Sequence, residues 1–237
     1  GREREALDIY AAGLAVRPDS PRILYAQGMT LKERRQSQEA VASLEKSRNA
    51  AQTQNDPATR EAAAKALFSL QHPAAHKQLM TATEKVNTPW SSEQKLVAEM
   101  RSARELLDAV ISQHPDLWEP YLLRGTALRR LSEVEAARAD FDKVLSLVPE
   151  QPNALVNLAI LSQEDEQLEA AVDLATRAVA ASGGDWTISL TAGFVYLEAG
   201  NCEKAREMIR ETRRRLPRGY PEDPTLVLAD EIDAICG

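Results

Sequence analysis

The chain has 237 residues, of which 43% are hydrophobic, 27% charged and 5% aromatic, with a net charge of −7. No apolar run approaches the roughly 18 residues of a membrane span, and the acidic balance argues against nucleic acid as a partner, since phosphate contacts want a basic face. Ala, Leu, Glu and Arg, all strong helix formers, are abundant, so an all-helical chain is expected.

The charge is uneven: residues 1–90 carry 13 Lys/Arg against 10 Asp/Glu, and residues 91–237 carry 16 against 26. Arg outnumbers Lys 21 to 8, which with the abundant Ala points to a GC-rich bacterial genome. Cys202 and Cys236 form no close-spaced motif and leave the redox compartment open. The start, GREREALDIY, is charged and already helical rather than a signal peptide, and it lacks Met, so it reads as a piece of a longer chain, cytoplasmic or periplasmic.

In chain order, residues 1–20 place Ala6, Tyr10, Gly13 and Pro18 at spacings that return as Ala137, Phe141, Val144 and Pro149. They read as the second helix of a hairpin whose first helix is missing. Residues 21–54 form a full hairpin, with Leu24, Gly28 and Leu31 on its first helix and Ala40 and Leu44 on its second. Ser47 stands where a small residue is usual, and Gln52 replaces a closing proline.

Residues 55–117 match less well, and Pro57, Pro73, Pro89 and Pro115 cut them into pieces of about one helix each. A degenerate unit fits 56–89 on Ala63, Ala75, Leu79 and Ala82, opened by Asp56-Pro57 as N-cap and first helical residue. Ser91 or Ser92 then starts a long amphipathic helix in which Ala103, Leu107 and Val110 take the second-helix frame. Pro89-Trp90 falls where its first helix should lie, so the array is expected to bend or break there.

Three uninterrupted units follow, 118–151, 152–185 and 186–219. Gly125, Ala137, Phe141, Val144 and Pro149 return as Ala159, Ala171, Ala175 and Ala178, and again as Gly193, Ala205, Ile209, Thr212 and Pro217. The small residue of the first helix lets the facing alanine approach, and a large one such as Phe141 is expected to plug the next unit. After Asp223-Pro224, residues 220–237 read as a capping helix, apolar at Leu226, Leu228, Ile232 and Ile235 and acidic at Asp230, Glu231 and Asp233.

The recurrence at 34 residues with this small/large alternation resembles the tetratricopeptide repeat (TPR) family. The resemblance implies an all-α, right-handed α-solenoid of antiparallel helix pairs, a TPR superhelix, with a C-terminal capping helix. It implies a noncatalytic scaffold or adaptor that binds a protein or peptide through a concave face lined by first helices. The alternatives are a regulatory or substrate-recruiting module of a larger enzyme and a self-associating structural array.

On this chain that face would present Tyr25, Met29 and Lys32, then Leu122, Thr126 and Arg129, then Val156, Ile160 and Gln163, then Leu190, Phe194 and Leu197, each trio at i, i+4, i+7. The Lys and Asn rows with which some members grip C-terminal carboxylates are replaced by apolar residues. An amphipathic helix or an extended apolar segment is therefore the expected partner, unless neighbouring helices cover the stripe. Ile160 and Phe194 each follow the small packing residue by one position and are expected to be surface anchors.

A second candidate is the basic patch Arg210, Arg213, Arg214, Arg215 and Arg218 in the acidic half. Its bland explanation is a helix C-terminus complemented by cations that also pair with the capping helix. His72 and His76 have the i, i+4 spacing of a metal pair, but Pro73 intervenes and no third ligand is near. Glu164-Asp165-Glu166 lies in a turn. With no Gly-rich phosphate loop, serine elbow or zinc motif, neither enzyme activity nor a cofactor is expected.

Overall fold

The computed structural model describes residues 2–217 and 225–236. Among them every regular element is helical: α1 (Arg2–Val16), α2 (Pro21–Glu33), α3 (Ser37–Thr53), α4 (Pro57–Gln71), α5 (Pro73–Asn87), α6 (Glu93–Gln113), α7 (Trp118–Arg130), α8 (Val134–Leu147), α9 (Pro152–Glu164), α10 (Leu168–Ala181), α11 (Trp186–Glu198), α12 (Cys202–Arg215) and α13 (Thr225–Cys236). The fold is an α-solenoid of antiparallel pairs, and it sorts into two compact units, Gly1–Gln78 and Leu79–Gly237.

In the first unit α1 packs on α2, α2 on α3, and α4 on both α2 and α3. Leu44 of α3 fills the space left by Gly28, where a Cβ would meet its Cγ at 2.7 Å. Ser47 is fully buried because its hydroxyl donates to the Pro21 carbonyl at 2.7 Å. Thr212 repeats the device in the second unit, donating to the Trp186 carbonyl across the same interval. A buried hydroxyl thus replaces the usual alanine without leaving an unmet polar group.

Asp56 caps α4, accepting from the Thr59 amide at 3.1 Å and the Thr59 hydroxyl at 2.8 Å. The Thr59 amide, with help from Arg22, holds its carboxyl below the usual carboxylate range. Lys32 donates to Ser69 at 2.8 Å, tying α2 to α4. The rings of His72 and His76 lie against Phe68.

In the second unit α6 to α13 pack in chain order, and α7, α9, α11 and α13 also touch in succession. First helices therefore lie side by side. Pro89-Trp90 does not deprive α6 of a first helix: Ala82 and Val86 of α5 share a core with Met100, Ala103 and Leu107 of α6. The Trp90 indole donates to the Lys85 carbonyl, and Lys85 pairs with Glu99 of α6. The proline ends α5 without removing it.

Phe141 is fully buried against Gly125 of its own hairpin and shares a core cluster with Ala154, Leu158 and Leu161 of the next unit. Gly193 makes room for α13, since a Cβ there would lie 2.6 Å from Cδ2 of Leu228. Leu228 and Ile232 are buried in that core, whereas Ile235 is 60% exposed and not part of the apolar face. Cys202 is disulfide-bonded. Asp223-Pro224 and the side chains of Leu226, Asp233 and Cys236 lie outside the described residues.

The turns within the hairpins share one backbone solution. Arg35, Ser132, Glu166 and Gly200 each take positive φ, 60°, 60°, 61° and 73°. The next amide returns to the carbonyl five residues earlier, as Gln167 does to Ser162 at 2.8 Å, closing the helix with a left-handed residue. Only Gly200 adopts this without a Cβ penalty. Glu166→Gly is therefore expected to stabilise the fold by about 0.5–1 kcal/mol, relief of the left-handed cost outweighing added unfolded-chain freedom. A lower urea midpoint for the variant would contradict this account of the turn.

Candidate peptide-binding groove

Because α7, α9 and α11 lie adjacent, their outward positions form a shared floor, with the last residues of α5 at one side. A groove of about 430 Å³ opens there. Its lining comprises Val86 and Asn87 of α5; Leu122, Leu123, Thr126 and Arg129 of α7; Asn153, Val156, Asn157 and Ile160 of α9; and Thr187, Ile188 and Thr191 of α11.

The polar groups of this floor are largely fixed by their own helices. Thr126 donates to the Leu122 carbonyl at 2.9 Å and Thr191 to that of Thr187 at 2.9 Å, leaving hydroxyl lone pairs as acceptors. Asn157 donates to the Asn153 carbonyl at 2.7 Å and accepts the Arg129 Nε–H at 3.2 Å. Burial, together with the neighbouring charge of Arg130, lowers the Arg129 pKa, with Glu164 opposing.

Of the twelve residues expected on a peptide-binding face, the groove brings together Leu122, Thr126, Arg129, Val156 and Ile160. Gln163 instead borders a separate hollow with Glu164, Glu166, Leu168 and Glu198. Leu190 and Phe194 pack against the core that holds Ala192, Met208 and Leu228, and Leu197 is itself buried there. Phe194 is thus partly a core residue. Tyr25 and Met29 pack against Leu44, Ala66 and Leu67, so α4 covers this part of α2, together with Lys32 through Ser69.

The groove also takes residues outside the i, i+4, i+7 trios. Leu123, Asn157 and Thr191 occupy one position at 34-residue intervals, as do Asn153 and Thr187. That recurrence is visible in the sequence. The shift toward the start of α11 and the entry of Val86 and Asn87 follow only from how the helices stack.

In the basic patch Arg210, Arg213, Arg214 and Arg215 are exposed. Glu211 of the same helix accepts from Arg214 at 2.7 Å and from Arg215 at 3.3 Å, and Arg215 also reaches the Gly183 carbonyl at 3.4 Å. Arg218 lies outside the described residues. Among the described residues no group of three His, Cys, Asp or Glu is arranged to hold a metal. No described helix is long and apolar enough to cross a membrane.

A family model for the tetratricopeptide repeat matches residues 99–152 and, overlapping them, 122–185. The Cut9–Hcn1 hetero-tetramer of the APC/C is similar in structure, with a TM-score of 0.58 and 14% identity over 99% of this chain and 46% of that one. PilW, a widely conserved type IV pilus biogenesis factor, aligns with a TM-score of 0.50 and 16% identity over 88% of this chain and 98% of its own. YrrB, a TPR protein with an unusual peptide-binding site, aligns with a TM-score of 0.47 and 14% identity over 95% and 97%. At such identities the likenesses to Cut9–Hcn1 and PilW concern fold alone. No curated protein matches the chain in sequence. With the 34-residue frame, the stacked helix pairs and the match over residues 99–185 in agreement, this chain carries tetratricopeptide repeats, a helical scaffold architecture of the protein-interaction class.

Proposed function

We propose that this chain is a noncatalytic scaffold that binds a segment of a partner protein in the groove across α7, α9 and α11. The observation that carries this reading is the lining itself: apolar Leu122, Val156 and Ile160 stand among the side-chain amides of Asn153 and Asn157 and the hydroxyls of Thr126 and Thr191. Such a surface buries side chains while offering partners to a peptide main chain.

The lining favours an extended segment over a helix, because an extended main chain has unpaired amides and carbonyls for the groove's polar side chains to meet, whereas a helix satisfies its own. An extended chain enters one side chain at a time.

Selection of a displayed random-peptide library on the full chain tests the reading. Peptides enriched on the wild type are expected to bind Ile160→Asp at least about tenfold more weakly, with its thermal midpoint little changed because Ile160 is only half-buried. Enriched peptides that bind this variant as well as the wild type would place recognition elsewhere.

A further inference from the structure

Five arginines of the second unit are half-buried among the described residues: Arg104, Arg124, Arg129, Arg138 and Arg177. Four of them have a carboxylate: Glu133 at 3.0 Å for Arg104, Asp140 at 2.7 Å for Arg124, Asp165 at 2.6 Å for Arg138 and Glu150 at 2.6 Å for Arg177. Arg129 is the exception. Its Nε–H goes to the neutral amide of Asn157 at 3.2 Å, and among the described residues no carboxylate pairs with it.

This exception lies in the groove, where Arg129 is the single cation and no Asp or Glu contributes to the lining. The setting is unusual for a unit whose residues 79–237 carry 27 Asp/Glu against 17 Lys/Arg. The side chain is also aimed. Asn157 is anchored through its Nδ2 to the Asn153 carbonyl at 2.7 Å, so its oxygen holds the guanidinium by one edge, and among the described residues nothing bonds the two Nη groups. A planar fork with a free edge, partly withdrawn from water, matches a carboxylate in two-point geometry.

We propose that Arg129 is the anion-recognising residue of this groove, and that the groove takes an extended, acidic segment of a partner protein, setting an internal Asp or Glu side chain against Arg129 and an apolar side chain on Leu122 and Ile160. This rests on the groove as the binding site. The acid is internal because lining residues flank Arg129 on both sides, Val86 and Asn87 of α5 on one and α9 and α11 on the other, so the segment passes by and does not end there. The surrounding negative charge disfavours long acidic runs, which restricts recognition to a single acid among apolar and neutral residues.

Fluorescence anisotropy of the full chain with three pools of labelled hexapeptides tests this. The first pool is blocked at both ends and carries one Asp or Glu among apolar and neutral residues; the second replaces that acid by Asn or Gln; the third keeps the amide but frees the C-terminal carboxylate. The acidic pool is expected to bind about tenfold more tightly than the amide pool. Arg129→Gln should abolish the difference between the two pools, and Arg129→Lys should retain part of it. Thermal unfolding of both variants controls for folding, and should Arg129→Gln unfold, the Arg129→Lys preference decides.

Equal binding of acidic and amide pools overturns the proposal while leaving the groove reading intact. So does a preference confined to the free C-terminus, or an acid preference that survives Arg129→Gln. If no pool binds the wild type, or if Ile160→Asp binds every pool as tightly, the groove reading falls and the proposal with it.

Discussion

Arg124→Ala is expected to destabilise the second unit by about 3 kcal/mol, measured by urea denaturation. Arg124 of α7 donates from Nε and Nη2 to the carboxylate of Asp140 in α8, at 2.8 and 2.7 Å, and from Nη1 to Asp108 of α6 at 2.6 Å. The Asp140 side chain is only 7% exposed, against 48% for Asp108. Truncating the arginine lets Asp108 hydrate but strands Asp140 in the core, and removal of one partner of a buried pair costs about 3–5 kcal/mol. The lower end applies because Arg124 is itself 23% exposed. The Asp140 hydrogen bond, ahead of that to Asp108, raises the Arg124 pKa, so its charge persists through any pH at which the fold is tested.

The repeat frame supplies the control for that experiment. Positions equivalent to Arg124 and Asp140 are Gln27 and Ser43 in the first unit, where the Ser43 hydroxyl donates to Gln27 at 2.8 Å. One repeat later they are Leu158 and Leu174, packed in a shared apolar cluster. The same helix crossing thus accepts an ion pair, a neutral hydrogen bond or a leucine pair. Arg124→Leu with Asp140→Leu should therefore recover most of the stability lost by Arg124→Ala, as buried pairs replaced by apolar residues of similar volume often do. A double variant as unstable as the single one would mean that Asp140 is not the source of the loss.

Gly125→Leu is expected to cost about 1–3 kcal/mol or more, because it overpacks a full core. A Cβ at Gly125 would lie 2.7 Å from Cε1 and 3.0 Å from Cδ1 and Cζ of Phe141, whose ring is fully buried and has nowhere to retreat. Gly125→Ala separates this contact from helix propensity. In an exposed helix the alanine would stabilise by about 1 kcal/mol, so a lower midpoint for Gly125→Ala isolates the clash with Phe141. Shortening that ring with Phe141→Leu in the Gly125→Ala background should recover part of the loss. A stabilised Gly125→Ala protein would show that α7 and α8 do not approach this closely.

Helix positions, hairpin pairing and the 34-residue frame were legible from residue types alone. A small residue at 28, 125, 159 or 193 and its partners twelve and sixteen positions on can serve only one close helix crossing. The buried set bears this out at Ala40, Leu44, Ala137, Phe141, Ala171, Ala175, Ala205 and Ile209. Periodicity also marked Leu228 and Ile232 as the inward residues of α13, but it grouped Ile235 with them, and Ile235 is exposed. A spacing rule cannot see where a covering surface ends.

The residues expected to face a partner divide in the same way. Leu122, Thr126, Arg129, Val156 and Ile160 line one groove, while Leu190, Phe194 and Leu197, at identical repeat positions, belong to a core. Sequence sets which way a side chain leaves its own helix, through the 100° step per residue. Whether that direction meets water or another helix depends on the neighbour: α13 closes over the last repeat through Leu228, and α4 covers Tyr25 and Met29 of α2. Likewise the sequence placed an arginine at 129, but only the packing of α7 beside α9 put it against Asn157, away from every carboxylate that its half-buried counterparts find.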